Sequence, residues 1–588
     1  MKHLLIPLLL STSFATAEPI VAVYDLKGPL TESGIKEGSM FSMDLEATRP
    51  LTLFDISQSL KQAATDEKVK AIVVDVDNAG LGLAQIQEIR GHLLDARDAG
   101  KDVWLYSDHF HNGTALLGSA ASNFVLMPEA GISFSGISAE SMYFKGMLDK
   151  AGIVADVIHI GDFKSFGEEF YRTGPSEFAE KQTQEMIGGI YDQLTGDIAE
   201  GRDLPKEKVD EMVDLGTFTP EQAKEAGLVD ELNYRTDFNA MLREKYAEAD
   251  FDDEYALPDL DGPEIDGIFD LFKLMLDSGD DASGSADYVA VVALEGAISS
   301  ASVAPVRKEI LKLLKDEHAK GLVLRVNSPG GSALASEVLW EATDEWKAAD
   351  RPFAVSMGGV AASGGYYVSS GAEKIFAQPG TITGSIGVVG MKLVMEGAME
   401  KLGITTPTVQ RGKHADAMSM SEPFSDEEKE LVRRSMLDIY GTFKQRITDG
   451  RGDRLKGELE GMAGGRVYTG ARALELGLVD ELGGLSDAVA WVAEKAGVSD
   501  GKARLSPEPK SMLEGLFSKP EEKNDDEIVR MDAAERPFAA MISAGIREGG
   551  LSTIPGPLHP SLERALDRIE AVNESAVQLL GPDIQLRW

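Results

Sequence analysis

Two residues in this 588-residue chain have the right types for acyl chemistry, and neither would work alone. Ser363 lies in residues 358–366, GGVAASGGY, among neighbours small enough to let a second backbone approach. It falls after an apolar run and at the start of a helical pattern, where the first free N–H groups favour negative charge on its hydroxyl. The pattern is not G-x-S-x-G, because Ala361 stands at the first glycine position, so that nucleophile elbow is not supported. A serine hydroxyl needs a base. The eight histidines include none in a Ser-His-Asp context. His109 and His111 could in principle bind a metal, but no third ligand accompanies them. Lysine is the alternative. In water its pKa is about 10.4, and burial can lower it by several units. Reaching about 7–8 takes roughly 3–5 kcal/mol of destabilisation of the charged form. Lys164, in IHIGDFKSFGEEF (158–170), is flanked by Phe163 and Phe166, which makes an apolar burial site plausible. A third motif, NSPGGS at 327–332, follows a strand pattern and precedes a helical one. Its glycines allow a sharp turn that leaves amide N–H groups uncovered, as a developing oxyanion requires.

The elements that must position these residues come from a duplication. VKAIVVDVDNAGLG at Val69 matches KGLVLRVNSPGGS at Lys320, with Ala71 on Gly321, an offset of 250. The same offset pairs 101–122 with 351–372, and TFTPEQAKEAGLVDEL (217–232) with VYTGARALELGLVDEL (467–482). A domain-sized period means a duplicated domain and not a solenoid. In the second copy the patterns predict strands over 289–294, 321–326 and 353–356. They predict helices over 306–319, 333–348 and 364–370. That alternation predicts an α/β fold with mostly parallel sheets and helices on both faces. The domains read as 18–248, an acidic linker 249–287 with a short helix near 268–276, 288–504, and an extension 505–588. Within the extension, 519–527 reads as a solvated charge run and 561–580 has helical spacing.

The copies differ where the chemistry lies. The second has Ser363 where the first has Gly113. The first has Lys164 where the second has Ala415, once Gly161 is set on Gly412. Independent drift of two structural domains gives no reason for this complementarity, whereas one composite site does.

Together NSPGGS, the stretch at Ser363, TGSIGVVG from Thr383 and GDFKS from Gly161 resemble the signal peptide peptidase A family (peptidase family S49), in its long tandem form. The resemblance covers roughly residues 20–500. It implies two tandem ClpP/crotonase-like domains and a Ser-Lys dyad of Ser363 and Lys164. It also implies a lysine-orienting role for Ser385, and oxyanion donors at the N–H groups of Gly330 and Gly364. No cofactor or metal is implied. Such proteins assemble as bowl-shaped homo-oligomers, here expected to be a tetramer, and degrade cleaved signal peptides and similar apolar peptides. Asn78-Ala79-Gly80 replaces Ser328-Pro329-Gly330 in the first copy, as expected of a structural copy.

Composition narrows the class. A formal net charge of −40 disfavours nucleic acid and anionic lipid as partners. The chain has no cysteine, which excludes thiolate nucleophiles, disulfides and Cys-ligated metals. Met1-Lys2-His3, an apolar run over 4–10 and Ala15-Thr16-Ala17 read as a cleavable export signal, 1–17, giving a periplasmic protein or one on the periplasmic face of the inner membrane. The family's long form usually keeps an anchor there, and an uncleaved anchor is the alternative. Two other function classes stay open: a crotonase-type acyl-thioester enzyme, against which export argues, and an inactive oligomeric scaffold.

Overall fold

The computed structural model describes residues 18–26, 28–34, 51–76, 80–258, 286–508, 577–580 and 585–587. The export signal 1–17, the linker helix at 268–276, the charge run 519–527, and Asn78 and Ala79 lie outside the described residues.

Continuous runs of β-branched and apolar residues become strands covered on both faces, the pattern of parallel sheets. Copy one contributes β1 (Ile20–Leu26), β2 (Val69–Val76), β3 (Asp102–His111), β4 (Asn123–Ser133), the short β5 (Ser138–Glu140), β6 (Val154–Ile160), β7 (Glu231–Leu232) and β8 (Asp250–Asp252). Copy two contributes β9 (Tyr288–Glu295), β10 (Ala319–Ser328), β11 (Gly330–Ser332), β12 (Phe353–Ala362), β13 (Lys374–Ala377), β14 (Ile382–Gly384), β15 (Val388–Val394), β16 (Val467–Thr469), β17 (Glu481–Leu482) and β18 (Ala503–Leu505). Two strands of the C-terminal extension follow, β19 (Val577–Leu580) and β20 (Gln585–Arg587).

The first sheet runs β7-β4-β3-β2-β1-β8 and is parallel throughout. The second runs β16-β14-β12-β10-β9-β18, with β13 and β17 branching from β12, and only β16 is antiparallel to its neighbour. The 250-residue offset holds element by element. Helix Leu83–Asp98 answers Ala333–Ala348, and Pro220–Ala226 answers Gly470–Leu476. Even the positive-φ glycines recur: Gly227 at 83° and Gly477 at 75°.

Two predicted elements fall elsewhere. The helix expected over 306–319 is Ser300–Leu314. Ser299 and Ser302 cap its start reciprocally, so it begins before Pro305. Ala319 already pairs with Tyr288 as the start of β10. The helical spacing of 561–580 does not hold over 577–580, which is strand. There the chain is hydrogen-bonded into a sheet, and tertiary pairing overrides a local pattern.

A third sheet, β11-β19-β15-β6, crosses the boundary between the copies. All seven residues of β6 pair antiparallel with β15, from Val388 with Ile160 to Val394 with Val154. Ile158 and Ile160 are buried in the core of copy two, each contributing about 1.5–3 kcal/mol. The chain after β6 is thereby held against the other copy.

The seam also carries buried charge. Arg325 of copy two lies 3.0 Å from Glu32 and 3.2 Å from Glu88, both on copy one, and all three side chains are almost fully enclosed. Glu88 accepts from the Leu485 N–H, and Gln87 from the Gly380 N–H.

Candidate active site

Lys164 reaches its position through glycines. Gly161, at φ 108°, turns the chain out of β6 so tightly that a Cβ there would stand 2.4 Å from the Gly464 carbonyl carbon. The Phe163 N–H donates to the Gly464 oxygen at 2.9 Å. Gly465 lies under the lysine backbone, where an added Cβ would come within 2.3 Å of Lys164 N. Gly387 lines the stem, where a Cβ would meet Lys164 Cδ at 3.1 Å. Phe163 and Phe166 are buried. The amine therefore enters copy two through a channel of absent side chains.

Ser363 follows β12 directly and caps the buried helix Gly364–Ser369. Its backbone is at φ 53°, ψ −111°, a conformation costing about 1–3 kcal/mol in a residue with a Cβ. It is held there on both sides. Ser363 N donates to the Gly384 oxygen, and the Tyr367 N–H donates to the Ser363 oxygen, each at 2.8 Å. Tyr366 Oη anchors the helix by donating to the Leu478 oxygen.

The two side chains meet. Lys164 Nζ lies 2.6 Å from Ser363 Oγ, 2.9 Å from the Ser385 backbone oxygen and 3.1 Å from Ser385 Oγ. Lys164 is 2% exposed, and both serines are fully buried. Desolvation by burial holds the Lys164 amine well below its ordinary pKa. A neutral amine fits its surroundings: two hydrogens serve the two Ser385 oxygens and the lone pair faces the Ser363 hydroxyl.

Gly330 and Gly364 adjoin each other. A Cβ on Gly364 would stand 3.1 Å from Gly331 N and 3.2 Å from Gly330 Cα. Gly330 N donates to Ser328 Oγ at 3.1 Å, and the other edge of its strand is fixed by Ile298. The structure thus gathers all five predicted site residues, Lys164 from copy one and the rest from copy two. In copy one the position answering Ser363 is Gly113, whose N–H is capped by His111 Nδ1. Ala415, opposite Lys164, is exposed.

Sequence reasoning missed Gly387, Gly464 and Gly465. The available signal was the same complementarity: copy one has Ile137, Asp214 and Leu215 at those positions.

Comparison with known proteins gives the class to which this strand–helix duplicate belongs. The family model of peptidase family S49 matches residues 95–249 and again 345–499. The chain belongs to peptidase family S49, as two ClpP/crotonase-like domains in tandem. It is 29% identical over 486 residues to the chloroplastic serine protease SPPA of Arabidopsis thaliana, spanning 79% of this chain and 70% of that one. It is 30% identical to Protease 4 of Haemophilus influenzae, over 75% of this chain and 72% of that one. Protease 4 of Salmonella typhi is 30% identical, over 78% and 74%. Among the described residues no helix is long and apolar enough to cross a membrane.

Proposed function

We propose that the protein is a serine endopeptidase in which neutral Lys164 activates Ser363 for attack on apolar peptides, including the remnants of cleaved signal peptides. The observation that carries this is the 2.6 Å contact between two buried side chains from opposite copies. Lys164 takes the proton as Ser363 Oγ adds to the peptide carbonyl. The N–H groups of Gly330 and Gly364 receive the oxyanion, for which Gly330 N turns from Ser328 Oγ. Lys164 then protonates the leaving amine, and water resolves the acyl-enzyme. Ser385 holds the amine with its lone pair on Ser363. A serine-directed acylating probe tests this by mass spectrometry. The adduct is expected on Ser363 and absent in Lys164→Ala. Labelling that survives that substitution removes the lysine from the mechanism.

The setting belongs to the same reading: the export signal read in residues 1–17 puts the enzyme in the cell envelope. We also infer a closed homo-oligomer, a tetramer in keeping with the family resemblance. Within one chain β6 pairs with β15. At the 250-residue offset the counterpart of β6 is 404–410, and the counterpart of β15 starts with β5. Residues 404–410 are exposed throughout, Val409 at 99%. Among the described residues β5 is paired along a single edge, with β20. A second copy's 404–410 matches the other edge, repeating between chains the ladder that joins the two halves of one.

A further inference from the structure

Beside the turn that delivers the lysine lies a cavity of about 460 Å³. That is the size of a small-molecule site, for which about 300–1,000 Å³ is usual. One wall is the turn itself, residues 160–163 of copy one. The other comes from copy two, through Ala463, Gly464 and Arg466 and through Lys444 on the helix Asp426–Arg451. Neither the two dyad residues, nor Ser385, nor the oxyanion glycines line it, so it is a second site and not a lobe of the first.

Its lining sorts by chemistry. Ile160, Phe163 and Ala463 form a buried apolar floor. Of the four charged side chains, Lys444 and Glu460 satisfy each other at 2.7 Å. Asp162 and Arg466 do not. Among the described residues neither has an ionic partner, and the Arg466 guanidinium rests on the Phe163 ring at 3.7 Å. One carboxylate and one guanidinium are thus left over in an apolar cavity. A guanidinium receives a carboxylate through two parallel hydrogen bonds, and a carboxylate receives an ammonium. The complementary ligand is an apolar zwitterion of dipeptide size, the kind of molecule left when apolar peptides are digested to the end.

The same walls hold the dyad. The Phe163 N–H donates to the Gly464 oxygen at 2.9 Å, and the Ser385 N–H to the Arg466 oxygen at 2.6 Å. Because each copy supplies one wall, the cavity exists only while the turn is docked. Whatever binds it therefore favours the docked turn.

We propose that this cavity binds short apolar peptides with free termini, the carboxylate on Arg466 and the ammonium on Asp162, and that occupancy steadies the turn carrying Lys164. The binding stands apart from the peptidase reading, and only its consequence for catalysis rests on that reading.

Calorimetry with leucyl-leucine on full-length Ser363→Ala protein tests this, beside hydrogen exchange read by mass spectrometry. Arg466→Gln in that background is expected to weaken leucyl-leucine by about 10-fold or more and to spare leucyl-leucine amide, which has no carboxylate. Asp162→Asn should weaken leucyl-leucine likewise and spare N-acetyl-leucyl-leucine, which has no ammonium. Bound leucyl-leucine should slow exchange several-fold over residues 160–166. Absence of binding at millimolar leucyl-leucine overturns the site, as does protection confined to 330–332 and 388–394, the strands beside the serine. Equal loss of capped and uncapped peptides in both variants overturns the assignment of the two charges. Binding as described, in a protein whose wild type hydrolyses no peptide, upholds this site while removing the peptidase reading.

Discussion

A neutral amine has two hydrogens and one lone pair, and Lys164 has three partners to match. This arrangement costs stability. Because burial lowers the folded-state pKa of Lys164, the unfolded chain binds one more proton over the window from that value up to about 10.4. Stability from this group therefore rises with pH through the window and is lowest below it. Lys164→Met should consequently abolish peptide hydrolysis, by about 10³-fold or more, and raise the melting temperature at pH 7. Each kcal/mol relieved corresponds to about 2–4 °C. A melting temperature at pH 7 that stays level or falls would count against a costly buried amine. Activity in the wild type should climb with pH as the amine loses its proton, and a flat profile from pH 5 to 9 opposes a lysine base. Ser385→Ala leaves the backbone oxygen as a partner but removes the Oγ. We expect kcat to drop by about 10–100-fold with KM little changed, the mark of misplaced chemistry and not of lost binding.

At the scale of elements, the lysine is delivered by glycine-on-glycine contact between the turn after β6 and residues 464–465. Gly465→Ala places a Cβ against the lysine backbone at a residue whose φ is 87°. A shift of about 1 Å in a reacting group costs on the order of 10²-fold in rate. A fall of that size in kcat, with the circular dichroism spectrum unchanged, is the expected result, and normal activity would show the loop to be free to relax. These contacts also explain what was legible in the sequence. Ser363 and Lys164 stood out because each is missing from the other copy. The central strands of the second sheet, β9, β10 and β12, were legible because β-branched runs declare themselves locally. Gly464 and Gly465 were not, since their role depends on a lysine some 300 residues away in the chain. The helix beginning at Ser300 was hidden by Pro305, and the strand at Val577–Leu580 by the fact that its conformation is set by the edges of β11 and β15.

At the scale of the whole molecule, two halves are joined by a strand ladder and by Arg325 set between Glu32 and Glu88. Removing one partner of a buried ion pair costs about 3–5 kcal/mol, so Arg325→Leu should lower the urea midpoint markedly. An unchanged midpoint would show that the halves are held by the ladder alone. Beyond one chain, the proposed homo-oligomer would use the exposed 404–410 segment as its contact surface. Val409→Lys is expected to reduce the mass in light scattering towards that of a single chain, and an unchanged oligomer would place the interface elsewhere. The division of the dyad between the halves also bears on biosynthesis. The amino-terminal half emerges first and carries an amine with no alcohol to activate. On the proposed mechanism a nascent amino-terminal half would be chemically inert, and hydrolytic competence would arrive only when the second half has been made and has docked. The order of synthesis would then itself be a safeguard against premature digestion of neighbouring chains.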